Sequence, residues 1–195
     1  MRLFEGAHFS KAVHDPAELP ADAGAEVAFA GRSNAGKSSA INALVNRKRL
    51  AFVSKMPGRT QTINFFSLDS QRFLVDLPGY GYSTVPAKEL RHWEKLISAY
   101  LQTRASLRGL ILIMDVRHPF TTLDRTLLDW IAPLKKPAHV LLTKADKLGR
   151  REALTALQSA QATARHCPNC AVQLFSSTTG IGLGPARKTI AQWLK

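Results

Sequence analysis

Two rhythms of apolar and polar residues alternate along the chain. Short, nearly continuous apolar runs of the kind carried by buried strands occupy residues 26–30, 63–68, 72–76, 110–115, 139–143 and 171–175. Between most of them the rhythm changes to the period of a helix. Over residues 88–101, Leu90, Trp93, Leu96, Ile97, Tyr100 and Leu101 recur at spacings of three and four and fall on one face. Helices are also expected over 39–45, after Thr122, after Gly149 and over 184–194. The runs at 63–68 and 72–76 are separated only by Asp69, Ser70 and Gln71, which suits an antiparallel hairpin. Elsewhere the order is strand, helix, strand. That order predicts an α/β fold: a mostly parallel sheet with helices on both faces. Residues 1–25 read as an N-terminal arm packing on a domain of residues 26–195, with no segment left over for a second domain.

Composition narrows the class. With 195 residues and 45% hydrophobic content the chain can bury a proper core. No signal peptide is visible in "MRLFEGAHFSKAVHD", and the longest apolar runs are too short for a bilayer, so a cytoplasmic location without stable membrane association is expected. Charge is the unusual property. Twenty-seven Lys and Arg against fourteen Asp and Glu leave +13, which favours a polyanionic partner, nucleic acid before anionic membrane. Cys167 and Cys170 form a CxxC with no second half, so two inert thiols are expected ahead of a half metal site shared with His166.

Three motifs carry chemistry. Gly31-Arg32-Ser33-Asn34-Ala35-Gly36-Lys37-Ser38 matches GxxxxGK[ST], between a predicted strand and a predicted helix. Glycines there let backbone N–H groups face phosphate oxygens; Lys37 neutralises the outer phosphates and Ser38 offers its hydroxyl to Mg²⁺. Asp76-Leu77-Pro78-Gly79 closes the strand that follows, where Asp76 would act on Mg²⁺ through water and the Gly79 amide would sense the γ-phosphate. Thr143-Lys144-Ala145-Asp146 ends another apolar strand. A carboxylate at Asp146 can accept from N1 and N2 of guanine, a donor pair adenine lacks, so GTP and GDP are the expected ligands and a P-loop ATPase or kinase is disfavoured. Lys144 would lay its methylene stem over the base.

With "GRSNAGKSS", "PGRTQTINFF", "DLPGYGY", "DVRHPFTTLD", "TKADKL" and "FSSTTGIG", the chain resembles the EngB/YihA/YsxC family of bacterial ribosome-assembly GTPases, over nearly its whole length. The resemblance implies a small-GTPase fold with a six-stranded, mostly parallel sheet. It also implies a slow GTPase switch in assembly of the large ribosomal subunit, needed for normal division and septation, with ribosomal RNA or an assembly intermediate as partner. A monomer is expected. It places the switch threonine at Thr60, a Mg²⁺ ligand, after Gly58 and Arg59, with Thr62 a lesser candidate. Lys37, Thr60 and Gly79 become the catalytic set. Ser39, Leu77, Pro78, Ala145, Phe175, Ser176 and Ser177 join the nucleotide contacts, Ser177 through its backbone amide. Thr143 stands where most small GTPases have Asn, so micromolar, exchange-prone binding is expected. Tyr80 replaces the glutamine that often orients the attacking water, and Asn34 matches members in which K⁺ sits beside the phosphates. Tyr80 and Tyr82 are candidates to stack on RNA bases. "DVRHPF" reads as a structural turn with Asp124 near the next helix start. Basic residues bunch at 47–49, 135–136, 144–151 and 187–188, the first leading into the proposed switch. The rival reading is a GTP-dependent switch acting on membrane or division machinery.

Overall fold

The computed structural model describes residues 2–51, 62–81, 87–167 and 169–195. Among these residues a seven-stranded sheet carries helices on both faces. Its strands are β1 (His8–Val13), β2 (Ala25–Gly31), β3 (Ile63–Ser67), β4 (Arg72–Asp76), β5 (Leu107–Asp115), β6 (Ala138–Thr143) and β7 (Cys170–Leu174). They run in the order β1-β3-β4-β2-β5-β6-β7. β3 pairs antiparallel with β1 and β4, and the other pairings are parallel. The helices are α1 (Lys37–Val45), α2 (Ala87–Thr103), α3 (Thr122–Ile131), α4 (Arg150–Ala164) and α5 (Leu183–Trp193).

Every residue of β2 is buried, as a central parallel strand covered on both sides must be. Its side chains alternate between two cores. Ala28 and Ala30 join Leu96, Ile97 and Tyr100 of α2 with Leu127 and Leu128 of α3. Val27 and Phe29 join Ile41 and Leu44 of α1 with Ala186 and Ile190 of α5.

The sheet has one strand more than the six expected, because part of the N-terminal arm is β1. Its sequence HFSKAV carries no apolar run, and only Val13 is fully buried. An edge strand needs backbone pairing on one side and little core of its own. Here Phe9, 51% exposed, meets Phe66 edge-to-face at 6.2 Å. β5 also starts earlier than its apolar run, at Leu107. Gly109 breaks the run because a Cβ there would come 2.5 Å from the Trp193 ring, which lies against the strand.

A buried polar group missed by the sequence reading closes the end of the sheet where the parallel strands begin. Glu26, 1% exposed, pairs with the Arg104 guanidinium and accepts a 2.8 Å hydrogen bond from the Tyr100 hydroxyl. Arg104 also donates to the Pro20 carbonyl at 2.7 Å and lies over the Phe65 ring at 5.8 Å. Burial, and then the Glu26 carboxylate, push the Tyr100 hydroxyl pKa well above its ordinary value, so Tyr100 stays a donor.

At the opposite end, the carboxyl termini of β2, β4, β5, β6 and β7 lie side by side, the usual place for a ligand in a parallel α/β sheet.

Candidate nucleotide-binding site

Gly31 leaves β2 at the sheet centre, and a Cβ on it would lie 2.6 Å from the Ile113 carbonyl oxygen of β5. The loop then turns through Asn34 (φ 64°) and Gly36 (φ 99°) into α1, where Gly36 stands in the left-handed region just before Lys37. No side chain caps α1 at its start, so its first amides point outward, the arrangement that suits phosphate oxygens.

The Asp76 segment lies alongside. The Lys37 ammonium and the Asp76 carboxylate form an ion pair, and their side chains are only 12% and 9% exposed. The Ser33 amide donates to the Tyr80 carbonyl at 2.9 Å, and Arg32 and Tyr80 form a parallel β-bridge. The phosphate loop and the DLPG segment are therefore joined by backbone. The Ser33 hydroxyl is buried, lies 3.2 Å from where a Gly79 Cβ would sit, and has no hydrogen-bond partner among the described residues.

Tyr80 is buried, and its hydroxyl donates to Asp124 at 2.7 Å. Burial first, and then the Asp124 carboxylate, raise the Tyr80 pKa above its ordinary value. Its stacking on RNA bases is therefore corrected: the ring belongs to the core beneath α3. Asp124 also accepts from the Thr121 amide and hydroxyl at 2.8 and 2.7 Å, capping α3. The turn expected for "DVRHPF" is present, and it does more than turn. Asp115 accepts from Arg117 and pairs with the Lys144 ammonium at 2.9 Å. Arg117, and after it Lys144, hold the Asp115 carboxyl well below the usual carboxylate range.

The side expected to hold guanine is built on β6 and β7. Thr143 bonds the Ala35 carbonyl of the phosphate loop at 2.5 Å and lies 3.0 Å from the Met114 carbonyl. The bracing job lost with an asparagine amide is thus done by a hydroxyl. Lys144, at φ 59°, donates to the Asn34 carbonyl at 2.8 Å, which ties its loop to the phosphate loop a second time. The buried Ser176 hydroxyl donates to Asp146 at 2.6 Å and accepts from the Thr178 and Thr179 amides. That bond is the largest cause of a lowered Asp146 pKa, so the carboxylate is held ionised and aimed. Ala145 donates its amide to the carbonyl of buried Phe175, joining the two guanine-side loops, while Ser177 is exposed.

The fold brings together Gly31 to Ser39, Asp76 to Gly79, Thr143 to Asp146 and Phe175 to Ser177 at one end of the sheet. Gly58, Arg59, Thr60 and Tyr82 lie outside the described residues. Thr62 lies just before β3, and its hydroxyl donates to the Asn64 side chain at 3.2 Å. The sequence reading placed Asp124 at the helix start but missed its bond from the Tyr80 hydroxyl, and it missed the pairing of Asp115 with Lys144. A signal existed for Asp115, which closes an apolar strand level with Thr143.

A family model described as a 50S ribosome-binding GTPase matches residues 26–144. A relative from Nitrosomonas europaea, described as a probable GTP-binding protein EngB, is 58% identical over 192 residues, covering 98% of this chain and 86% of the relative. The chain belongs to the EngB family of GTPases. Another EngB relative, from an Azoarcus species, is 56% identical over 196 residues and covers 100% of this chain and 94% of its own. The fold matches the crystal structure of a probable GTP-binding protein engB with a TM-score of 0.66 at 20% identity, over 87% of this chain and 98% of that one. As an EngB-family GTPase the chain binds GTP and hydrolyses it.

Outside the EngB motifs, Cys167 and Cys170 are half-buried thiols that are not joined in a disulfide. Burial, and then the neighbouring Cys167, push the Cys170 thiol up to about 12, which removes its thiolate at neutral pH. No group of three metal-ligating side chains occurs among the described residues.

Proposed function

We propose that this chain is a GTP-driven switch in assembly of the large ribosomal subunit, with ribosomal RNA or an assembly intermediate as its partner and normal division and septation depending on it. The observation that carries the switch reading is the backbone bridge from Ser33 and Arg32 to Tyr80, which makes the DLPG segment answer to the phosphate loop. The description of the matching family model supports the ribosomal reading.

In this reading Lys37 and the outward-facing amides of the loop hold the phosphates, and Asp146 with Ser176 reads guanine. The Gly79 amide and Thr60 report the γ-phosphate. The Ser38 hydroxyl and the Asp76 carboxylate are hard oxygen donors at one end of the site and fit Mg²⁺, Asp76 acting through water. Bound there, Mg²⁺ supplies positive charge to the phosphate oxygens as the terminal phosphoryl leaves. The Tyr80 hydroxyl donates a hydrogen bond to Asp124 and points into the core, so it orients no water, and intrinsic hydrolysis is slow.

Asn34 is exposed, and its side chain makes no hydrogen bond to the loop among the described residues. That leaves its amide oxygen for K⁺ beside the phosphates. GTP hydrolysis should run several-fold faster in KCl than in NaCl at equal ionic strength, and Asn34→Ala should remove the difference. Equal rates for the unmodified protein sink the potassium role.

The ribosomal reading is tested by pelleting the protein with purified ribosomal subunits, loaded with GDP or a non-hydrolysable GTP analogue, across a salt series. Analogue-dependent binding to the large subunit that survives moderate salt is expected. Binding to neither subunit in either state overturns the reading.

A further inference from the structure

We propose that the end of the sheet opposite the nucleotide loops is an RNA-binding belt that grips phosphates whatever nucleotide is bound. This rests on the reading of ribosomal RNA as partner and assigns the surface that meets it.

The belt can be followed across the strand starts and helix ends. Arg47, Lys48 and Arg49 are exposed directly after the last turn of α1. Arg187 donates to the Leu44 and Ala43 carbonyls and so fastens that turn to α5. At the end of α5, exposed Lys195 follows Trp193, whose ring lies against Gly109, next to exposed Arg108. The Leu110 amide donates to the Pro137 carbonyl at 2.9 Å, placing the start of β5 beside Lys135 and Lys136. Those two lysines share a cleft with Cys167 and Asn169, and Arg165 and His166 are exposed at the close of α4 beside it.

None of the lysines and arginines just named as exposed or lining the cleft takes part in an ion pair among the described residues. Nearby carboxylates are mostly committed elsewhere. Glu26 belongs to Arg104, Asp69 to Arg72, and Asp22 accepts the Ala105 and Ser106 amides. Glu5 and Asp129 remain. At the nucleotide end Lys37, Arg117 and Lys144 are each paired to a carboxylate, while exposed Arg150 and Arg151 take part in no ion pair among the described residues.

An uncompensated row of cations on fixed backbone suits a phosphodiester chain. It is made of loops and strand starts, not of a basic amphipathic helix with an exposed apolar face, which a lipid surface would call for. Helix α1 alone sets the belt about 13 Å from the phosphate loop, so belt contacts do not sense the γ-phosphate. Cations just beyond the C-terminal ends of α1, α4 and α5 also complement the helix dipole, so removing them costs some stability and the test must separate binding from stability.

The experiment measures binding of the full chain, loaded with GDP, to protein-free 23S ribosomal RNA across a potassium chloride series. Two triple variants cut the belt: Arg47→Gln/Lys48→Gln/Arg49→Gln and Lys135→Gln/Lys136→Gln/Arg165→Gln. Arg150→Gln/Arg151→Gln, at the nucleotide end, is the control. Each triple should weaken binding at least 10-fold and flatten the log–log salt dependence by about two, with the same losses in the GTP-analogue form; the control should lose little. GDP affinity reports folding. If a triple fails that check, single Lys136→Gln and Arg49→Gln variants should each flatten the slope by about 0.7–0.9. Wild-type RNA binding that the belt variants retain in full, or lose no more than the control, overturns this proposal and leaves the ribosomal reading standing. Binding of the unmodified protein to phosphatidylglycerol vesicles and to neither the RNA nor the subunits overturns both.

Discussion

Replacing Asp146 by asparagine is expected to lower GDP affinity about 100-fold and to create affinity for xanthosine diphosphate. The carboxylate offers two acceptor oxygens to the guanine N1 and N2 donors, and hydrogen bonds to a charged group contribute about 1.5–3 kcal/mol each. An amide keeps one acceptor and presents an N–H where guanine also presents one, so about 3 kcal/mol is lost, which is about two decades in Kd. Xanthine carries a carbonyl at that position and accepts from the new amide. The carboxylate is held by the Ser176 hydroxyl, whose own oxygen is fixed by the Thr178 and Thr179 amides, so little freedom remains for the loop to compensate. Fluorescent GDP titration with xanthosine diphosphate competition measures both effects. An unchanged GDP Kd would remove Asp146 from base recognition.

The second large effect lies at the other end of the sheet. Arg104→Met should destabilise the fold by about 3–5 kcal/mol, because it leaves the Glu26 carboxylate, 1% exposed, without its cation. Tyr100 still donates to Glu26, but one neutral hydroxyl does not replace a guanidinium. The midpoint of urea unfolding should fall, and the melting temperature with it by roughly 10 °C. Glu26→Gln combined with Arg104→Met should recover much of the loss, since the pair vanishes together and no buried charge is stranded. GDP affinity of the folded variants should stay within about twofold, the pair being a full strand length from the phosphate loop. A double variant no more stable than Arg104→Met would show that the guanidinium acts through its bonds to the Pro20 and Ala21 carbonyls instead.

What could be read from the chain depended on how local the cause was. The strands were legible where a parallel strand is buried on both faces, because nearly all of its residues must then be apolar, as in VAFAG of β2. β1 was not legible, because an edge strand is held by backbone bonds to β3 that leave little mark on side-chain type. The loops expected to hold phosphate and guanine could be placed at strand ends because that chemistry needs fixed residue types at short spacing: glycine at a left-handed Gly36, a lysine beside it, a carboxylate closing a strand.

Contacts across long stretches of chain had no such mark. Thr143 braces Ala35, Lys144 reaches Asn34, and Tyr80 gives its hydroxyl to Asp124, each pair lying on separate strands or loops that only the folded sheet makes neighbours. Tyr80 is the instructive case, since by type it suited RNA stacking as well as burial, and α3 decided for burial. The net charge of +13 was likewise plain in the composition, while the gathering of unpaired cations at the strand starts was not. By itself the sequence determined an α/β GTPase that selects guanine, because phosphate and base recognition are written in contiguous motifs. Tertiary structure decided which polar groups are joined, buried or left facing solvent, because those outcomes depend on strand order and register.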